Sequence, residues 1–326
     1  MYDLIIIGGG PAGAAAAVYS GRKKLKTLLI SESFGGQSLV SDDIENWIGV
    51  KKMTGLEFAK MLEEHVKSQE DVEIKMPEKV ISVKEMKDGF PAQGGPAVGW
   101  EVKTDKGNIY QSKTLFVASG GRRRRLNVDG EDKFEGKGVS YCSTCDAPIF
   151  KNKIVAVIGG GNAGLEAVID LIPYAVKIYL INHGPELAGD PLTLEEFGKS
   201  DKIVIINNAE TQEIMGDKFV SGLKYLDKQD NNVKELSLEG IFVEIGSVPN
   251  SEFVKGFVEM NEVGEIIVDH KTGATSVSGI FAAGDVTDEI YKQNNISAGD
   301  GIVAALSAYN YLLKIKKQSP SAEQNL

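Results

Sequence analysis

Apolar residues in this chain fall into short unbroken runs. Residues 4–7 (LIII), 27–30 (TLLI) and 154–158 (IVAVI) are three of them, and a fourth ends near Ile181. Runs of this length, bounded by glycine and polar residues, predict buried strands. An Ala-rich helical stretch lies between the first two, and a second helical stretch follows Gly164. Strand, helix and strand thus follow one another twice, and a further strand is expected over residues 279–282. That order predicts an α/β fold. "DGFPAQGGPAVGW" (residues 88–100) reads as a Gly/Pro-rich loop inserted between two strands, and the tail "KKQSPSAEQNL" reads as disordered.

Both strand-to-helix junctions have the spacing GxGxxG, at Gly8, Gly10 and Gly13 and again at Gly159, Gly161 and Gly164. In such a junction the first glycine makes the turn, the second lets the backbone approach a pyrophosphate, and the third lets helix and strand pack closely. The helix start adds free N–H groups and the positive end of its dipole. Pro11, Ala12, Asn162 and Ala163 complete the two turns. One copy is a weak signal, because a glycine-rich turn needs no ligand. Two copies, each with a strand before and a helix after, predict that the chain binds two dinucleotides. Gly284 and Asp285, at the end of the strand expected over 279–282, read either as an acceptor for ligand hydroxyls or as a turn capped by its aspartate.

The 326 residues suffice for two domains, and 42% hydrophobic with 25% charged residues is ordinary for a globular protein. A net charge of -10 argues against general nucleic-acid binding. No stretch approaches the roughly 18 consecutive apolar residues of a membrane span. A strand beginning almost at Met1 leaves no room for a signal sequence, so the expected location is the cytoplasm. Thiols are held reduced there, which bears on the two cysteines, Cys142 and Cys145 of "YCSTCDAPIF". Zinc would need further ligands, and none of His65, His183 and His270 sits at ligand spacing from the pair. A disulfide across so short a loop would constrain little of the unfolded chain. A redox-active dithiol is the leading reading.

Together these residues resemble the low-molecular-weight thioredoxin reductase family and the related flavoprotein subunit of alkyl hydroperoxide reductase. The resemblance spans residues 2–313 and rests on "GGGPAG", "FGGQ", "IENWIG", "YCSTCD", "GGGNAG", "GSVPN", "AAGD" and "YKQ", which follow the family's order. It implies two Rossmann-like dinucleotide-binding domains. A nicotinamide domain carrying the CxxC, residues 117–246, would be inserted into a discontinuous FAD domain, residues 1–116 and 247–326. It implies FAD on Gly8, Gly10, Pro11, Ala12 and Gly13 with Gly36, closed over by Gly284 and Asp285, while Gln37, Asn46 and Gln293 lie near the flavin ring. A reduced nicotinamide would lie on Gly159, Gly161, Asn162, Ala163 and Gly164. Electrons would pass from nicotinamide to flavin, to the cysteine pair, and on to a protein disulfide. In that scheme Cys145 faces the flavin, Cys142 attacks the partner and Asp146 is the acid/base, although Asp146 also suits a plain turn or cap. The family further implies a homodimer and a domain that swings between two positions.

The chain departs from the family pattern in three places. NADPH users carry a His-Arg-Arg run after the second strand of the nicotinamide domain, where this chain has Asn182-His183-Gly184. The paired arginines are missing and Asn182 can bond a ribose diol, so NADH is expected over NADPH. In the first domain the usual ribose acid is replaced by Ser31, leaving Glu32 as either a substitute or a solvated loop carboxylate. Ala147 stands where a glycine is usual. Arg122–Arg125 form the one basic run, which reads as a solvated face paired to nearby acids or as a docking patch for an acidic redox protein.

The expected activity is FAD-dependent reduction of a thioredoxin- or glutaredoxin-like protein disulfide by NADH. The rivals are a ferredoxin-driven reductase, a dithiol oxidase and a non-catalytic flavoprotein redox sensor. The intact "GGGNAG" weighs against the first two, and an aspartate beside the cysteine pair weighs against the last.

Overall fold

The computed structural model describes residues 1–41, 44–90, 98–188 and 200–318. They form two compact units, one of Met1–Arg122 with the chain from Val248 onward, the other of Arg123–Ser247. Of the expected loop at 88–100, residues 91–97 lie outside the described residues, as do residues 319–326 of the tail. The flanks of that loop are strands, ending at Phe90 and resuming at Val98. Among the described residues no helix is long and apolar enough to cross a membrane.

In the first unit, β1 (Tyr2–Gly9), β2 (Thr27–Phe34), β3 (Val72–Lys75) and β6 (Ile109–Val117) lie parallel in the order β3-β2-β1-β6. Antiparallel β5 (Val98–Thr104) and β4 (Val80–Phe90) continue the sheet, and β15 (Ile280–Ala282) pairs in parallel with β6. The unbroken run at residues 4–7 follows from covering both faces of the sheet. Leu4 and Ile6 pack with Ala16, Ala17, Leu29 and Phe116, while Ile5 and Ile7 pack with Leu28, Ile30, Trp100 and Leu115. Helix α1 (Pro11–Arg22) buries Ala12, Ala14, Ala16 and Ala17, and helix α4 (Asn294–Gln318) buries Ala304, Ala305 and Ala308 in the same cluster. The small residues allow a close approach: a Cβ at Gly301 would stand 2.3 Å from the Ala12 carbonyl oxygen.

The second unit is a five-stranded parallel sheet. Its order is β10 (Ile203–Ile206), β9 (Lys177–Ile181), β8 (Ile154–Ile158), β14 (Gly240–Val243), β7 (Val139–Ser140). A three-stranded antiparallel sheet, β11 (Ala209–Gly216), β12 (Val220–Asp227) and β13 (Asn232–Ser237), accompanies it. Ala156 and Ile158 pack toward Ile214 and Leu223 of the antiparallel sheet. Val155 and Val157 pack toward Leu165, Val168 and Leu171 of helix α3 (Asn162–Leu171). The first crossing between units falls after Arg122, because Ala118 is bonded to Ile7 (2.9 Å) and Gly121 accepts the Gln37 side chain (2.5 Å).

Each helix that follows a glycine turn touches its strand without an intervening side chain. A Cβ at Gly13 would lie 1.9 Å from the Gly8 oxygen, and one at Gly164 would lie 1.8 Å from the Gly159 oxygen. Gly13→Ala and Gly164→Ala are each expected to cost about 1–3 kcal/mol, since rigid backbone must move to admit the methyl group. Urea unfolding of the two variants checks this, and unchanged midpoints would contradict it.

Candidate active site

Gly8 turns at the end of β1 with φ +116°, a conformation disfavoured for side-chain-bearing residues, and α1 starts at Pro11. No side chain caps α1 and no acid occupies its first turn. Above Gly10 the nearest atom to a built Cβ is the Gly36 Cα, 4.0 Å away. Two glycines from separate loops therefore meet near van der Waals distance at the positive end of a helix. Bare backbone beside free helix N–H groups suits the pyrophosphate of a dinucleotide. Gly284 closes onto the same turn, with a built Cβ 3.0 Å from the Ala12 Cβ, and Asp285 accepts the Ser297 hydroxyl at 3.1 Å. Gln37 donates to Gly121, while the Asn46 amide donates to Gln293 at 3.2 Å. Asn295 holds the Asn46 loop through the Asn46 carbonyl (2.7 Å) and the Ile48 N–H (3.3 Å). Glu32 is exposed and lies 3.5 Å from Lys79, an ion pair that a surface carboxylate forms without any ligand.

The second unit repeats the arrangement. Gly159 turns with φ +133° at the end of β8, and α3 starts at Asn162 with no side-chain cap and no acid in its first turn. Nothing lies within 4 Å of a Cβ built on Gly161. Asn162 and Ala163 are exposed on the first turn of α3. Asn182, at the end of β9, is only 6% exposed. Its Nδ2 donates to the Gly184 carbonyl (3.1 Å), the Glu186 carbonyl (2.9 Å) and Asn207 Oδ1 (3.0 Å). Its Oδ1 overlies Gly160, where a Cβ would meet it at 2.2 Å. The side chain thus braces the loop after β9 and fits over the glycine turn. His183, beside it, lies 2.8 Å from Lys228, which is 3.4 Å from Glu210.

The two cysteines form a disulfide in the same unit, with a Cα–Cα distance of 5.3 Å. Cys142 precedes a single helical turn, α2 (Ser143–Asp146), and Cys145 lies within it. The turn follows β7, the edge strand that ends at Ser140. Ser140 Oγ donates to Asp146 Oδ2 at 2.6 Å and accepts the Cys142 N–H at 3.2 Å. One hydroxyl thus ties the carboxylate to the backbone of the first cysteine. On the far side, Asp170 of α3 accepts the hydroxyls of Ser143 (2.9 Å) and Thr144 (3.2 Å), the two residues between the cysteines. Tyr141 donates to Glu131 (2.8 Å) and accepts from Arg125 (2.6 Å). Burial and the Glu131 carboxylate push the Tyr141 phenol well above its ordinary range, so it stays a donor. Ala147 is buried and opens the short 3-10 segment Ala147–Phe150.

The basic run divides among separate partners. Arg122 bonds Asn250 (2.8 Å) and Glu252 (2.7 Å), and Arg125 bonds Glu135 (2.6 Å) and Tyr141. Arg123 faces Glu244, and Arg124 is exposed. Three of the four arginines thus face intramolecular acids.

Sequence reasoning missed Ser140, Asp170 and Glu244. Glu244 follows directly on β14, and its backbone N–H bonds the Ile158 carbonyl at 2.8 Å. Its carbonyl lies over the Gly159 turn, where a built Cβ would meet it at 2.2 Å. Burial pushes its carboxyl up to about 7, with the Arg123 cation pulling the other way. An acid at the end of a buried strand was the available signal, in "IFVEIG". Ser140 and Asp170 carried no comparable mark.

Residues 2–301 match the family described as pyridine nucleotide-disulphide oxidoreductase. The chain is 44% identical over 313 residues to an NADH dehydrogenase of Bacillus subtilis, covering 96% of this chain and 59% of that one. It is 43% identical over 318 residues to an alkyl hydroperoxide reductase subunit of Escherichia coli, covering 97% of this chain and 59% of the relative. The chain therefore spans about three-fifths of the length of these curated relatives. Among solved structures, thioredoxin reductase from Streptococcus pyogenes superposes with a TM-score of 0.86 at 31% identity, over 96% of this chain and 98% of that one. Thioredoxin reductase from Giardia duodenalis gives a TM-score of 0.86 at 29% identity, over 96% and 99%.

Gly161→Ala separates binding from folding. With nothing within 4 Å of the added methyl, its stability is expected to stay within about 1 kcal/mol of the parent. Nicotinamide binding is expected to weaken by roughly tenfold, because the methyl occupies the space a pyrophosphate needs. Thermal unfolding and equilibrium titration with NADH read the two effects separately.

Proposed function

The chain belongs to the pyridine nucleotide-disulphide oxidoreductase family, and on that premise we propose that it carries electrons from NADH through FAD and the Cys142–Cys145 pair to a disulfide of a thioredoxin- or glutaredoxin-like protein. The observation that carries the reading is the Cys142–Cys145 disulfide, in the same compact unit as the second glycine turn and with Asp146 tethered beside it through Ser140. We take the site of action to be the cytoplasm and, from the family resemblance, the working form to be a homodimer.

When bound, FAD and a reduced nicotinamide supply hydride transfer and a reservoir for two electrons. The protein's own groups do the rest. The turns at Gly8–Gly13 and Gly159–Gly164 bind the two pyrophosphates through backbone N–H groups, and Gly284 with Asp285 covers the first. Gln37, Asn46 and Gln293 orient the flavin ring through side-chain amides. An electron pair delivered at Cys145 breaks the S–S bond, and Cys142 leaves as the thiolate. Asp146 and Ser140 hold the proton that Cys142 takes up or gives back. The Cys142 thiolate then attacks one sulfur of the partner disulfide, and Cys145 displaces the partner to re-form the bond.

NADH is favoured over NADPH because no arginine pair follows β9, and the nearby cation, Lys228, is itself close to Glu210. The intact turn at Gly159–Gly164 favours nicotinamide over ferredoxin as the donor. The sensor reading would leave the Ser140–Asp146 arrangement without a use.

Anaerobic mixing of the flavin-loaded protein with each nicotinamide tests the donor. Bleaching with NADH is expected to outpace NADPH by about tenfold or more, the scale of losing one phosphate contact made by a charged donor. Absence of bleaching with both would overturn the nicotinamide assignment. Cys142→Ser is expected to keep flavin bleaching while losing at least about a hundredfold in reduction of a disulfide protein. A Cys142→Ser enzyme working at the parent rate would rule out the nucleophile. Ser140→Ala is expected to slow disulfide exchange by about threefold to tenfold, with flavin bleaching unchanged.

A further inference from the structure

Asp170 is an acid in the last turn of α3, a place the reaction above does not use. A carboxylate there opposes the helix dipole, so the helix gives no reason for it. The cysteine turn gives one. Asp170 Oδ2 accepts the Ser143 hydroxyl at 2.9 Å and the Thr144 hydroxyl at 3.2 Å, from 27 and 26 residues further along the chain. Ser143 and Thr144 are all that separates Cys142 from Cys145. Val168 and Leu171, on either side of Asp170, are fully buried in the core under α3, so the acid rides on a helix fixed to its sheet. Ser140 tethers the turn at its two ends, through the Cys142 N–H and the Asp146 carboxylate. Asp170 tethers its middle.

We propose that Asp170 is a positioning residue for the Cys142–Cys145 pair: by holding Ser143 and Thr144 it keeps the two sulfurs within reach of each other after the S–S bond opens, and so sets the reduction potential of the pair. The inference rests on the reading of the pair as an electron carrier. In the oxidised chain the S–S bond itself holds the two cysteines, with Cα atoms 5.3 Å apart. In the dithiol that restraint is gone, and a four-residue helix is too short to keep its shape unaided. The two hydroxyl bonds to Asp170 then limit how far the segment spreads.

A dithiol held in this way loses less conformational freedom on closing, which raises the effective concentration of one thiol at the other. Closure passes two electrons and two protons to a partner disulfide, and one S–S bond forms as the partner's breaks. A higher effective concentration favours closure and makes the pair the stronger reductant. A carboxylate acting only through its charge would disfavour a thiolate nearby and shift the potential in the same direction. The two actions are separated by removing the hydroxyls and the charge in turn.

The test is equilibration of the flavin-loaded protein in dithiothreitol redox buffers, with thiols trapped by alkylation and counted by intact mass. The chain has two cysteines, so every trapped thiol belongs to the pair. The double variant Ser143→Ala with Thr144→Val removes both donors and keeps the carboxylate. Its equilibrium constant for closure is expected to fall by roughly threefold to tenfold, a rise in potential of about 15–30 mV at 29.6 mV per tenfold. Asp170→Ala is expected to shift it equally, while Asp170→Asn, whose amide oxygen still accepts hydroxyls, keeps most of the parent value. A parent-like potential in the double variant or in Asp170→Ala would overturn the proposal. If the double variant is parent-like while Asp170→Asn shifts as far as Asp170→Ala, the effect belongs to charge. Should Asp170→Ala not fold, the double variant decides the matter by itself. Failure of the parent reading looks different: NADH would then leave the disulfide intact in the parent protein, whereas the buffers reduce it chemically.

Discussion

A contact between a helical glycine and a carbonyl oxygen, made once in each unit, sets the geometry of both nucleotide sites. Gly13 meets Gly8 and Gly164 meets Gly159 with no room for a methyl group. The contact draws the first turn of each helix against the end of its strand, so that its free N–H groups face the crevice at the sheet edge. The long apolar strands beneath, buried on both faces, keep the strand end from yielding. The Asn182 amide over Gly160 and the Gly36 backbone opposite Gly10 are built on that contact and lose their meaning without it.

The cysteine turn is held by different means. Its four-residue helix is too short to be stable alone, so neighbouring polar groups fix it. Ser140 ties Asp146 to the Cys142 N–H, Asp170 gathers the two hydroxyls between the cysteines, and the Tyr141 phenol is clamped by Glu131 and Arg125. The arginine run belongs partly to this support, because Arg125 holds Tyr141, the residue before Cys142.

The strands and glycine turns were legible because each is dictated locally. A buried parallel strand needs an unbroken apolar run, and a tight strand-to-helix junction needs glycine at fixed steps. The strand at residues 154–158 lies where the run lies, whereas β2 extends past Ile30 through the polar Ser31–Ser33 stretch to Phe34, which the apolar pattern could not mark. What escaped was whatever depends on the fold bringing distant segments together. Gly184, Glu186 and Asn207 converge on the Asn182 amide only after folding. Asp170 reaches the cysteine turn from a helix further along the chain. No spacing rule connects it to Cys142.

The order of segments in the first unit has a consequence for biosynthesis. β6 has β1 and β5 as early neighbours, but β15 beside it and α4 against α1 come from residues beyond Val248. The second unit is one uninterrupted segment and can complete its sheet while the first still lacks these pieces. At about 5–20 residues per second, the ribosome takes on the order of ten to thirty seconds to pass from Arg122 to the start of β15. Throughout that interval the alanine face of α1 has no α4 to cover it. A nascent chain of this kind depends on protection from premature association, and its last helix is the piece that closes the first domain.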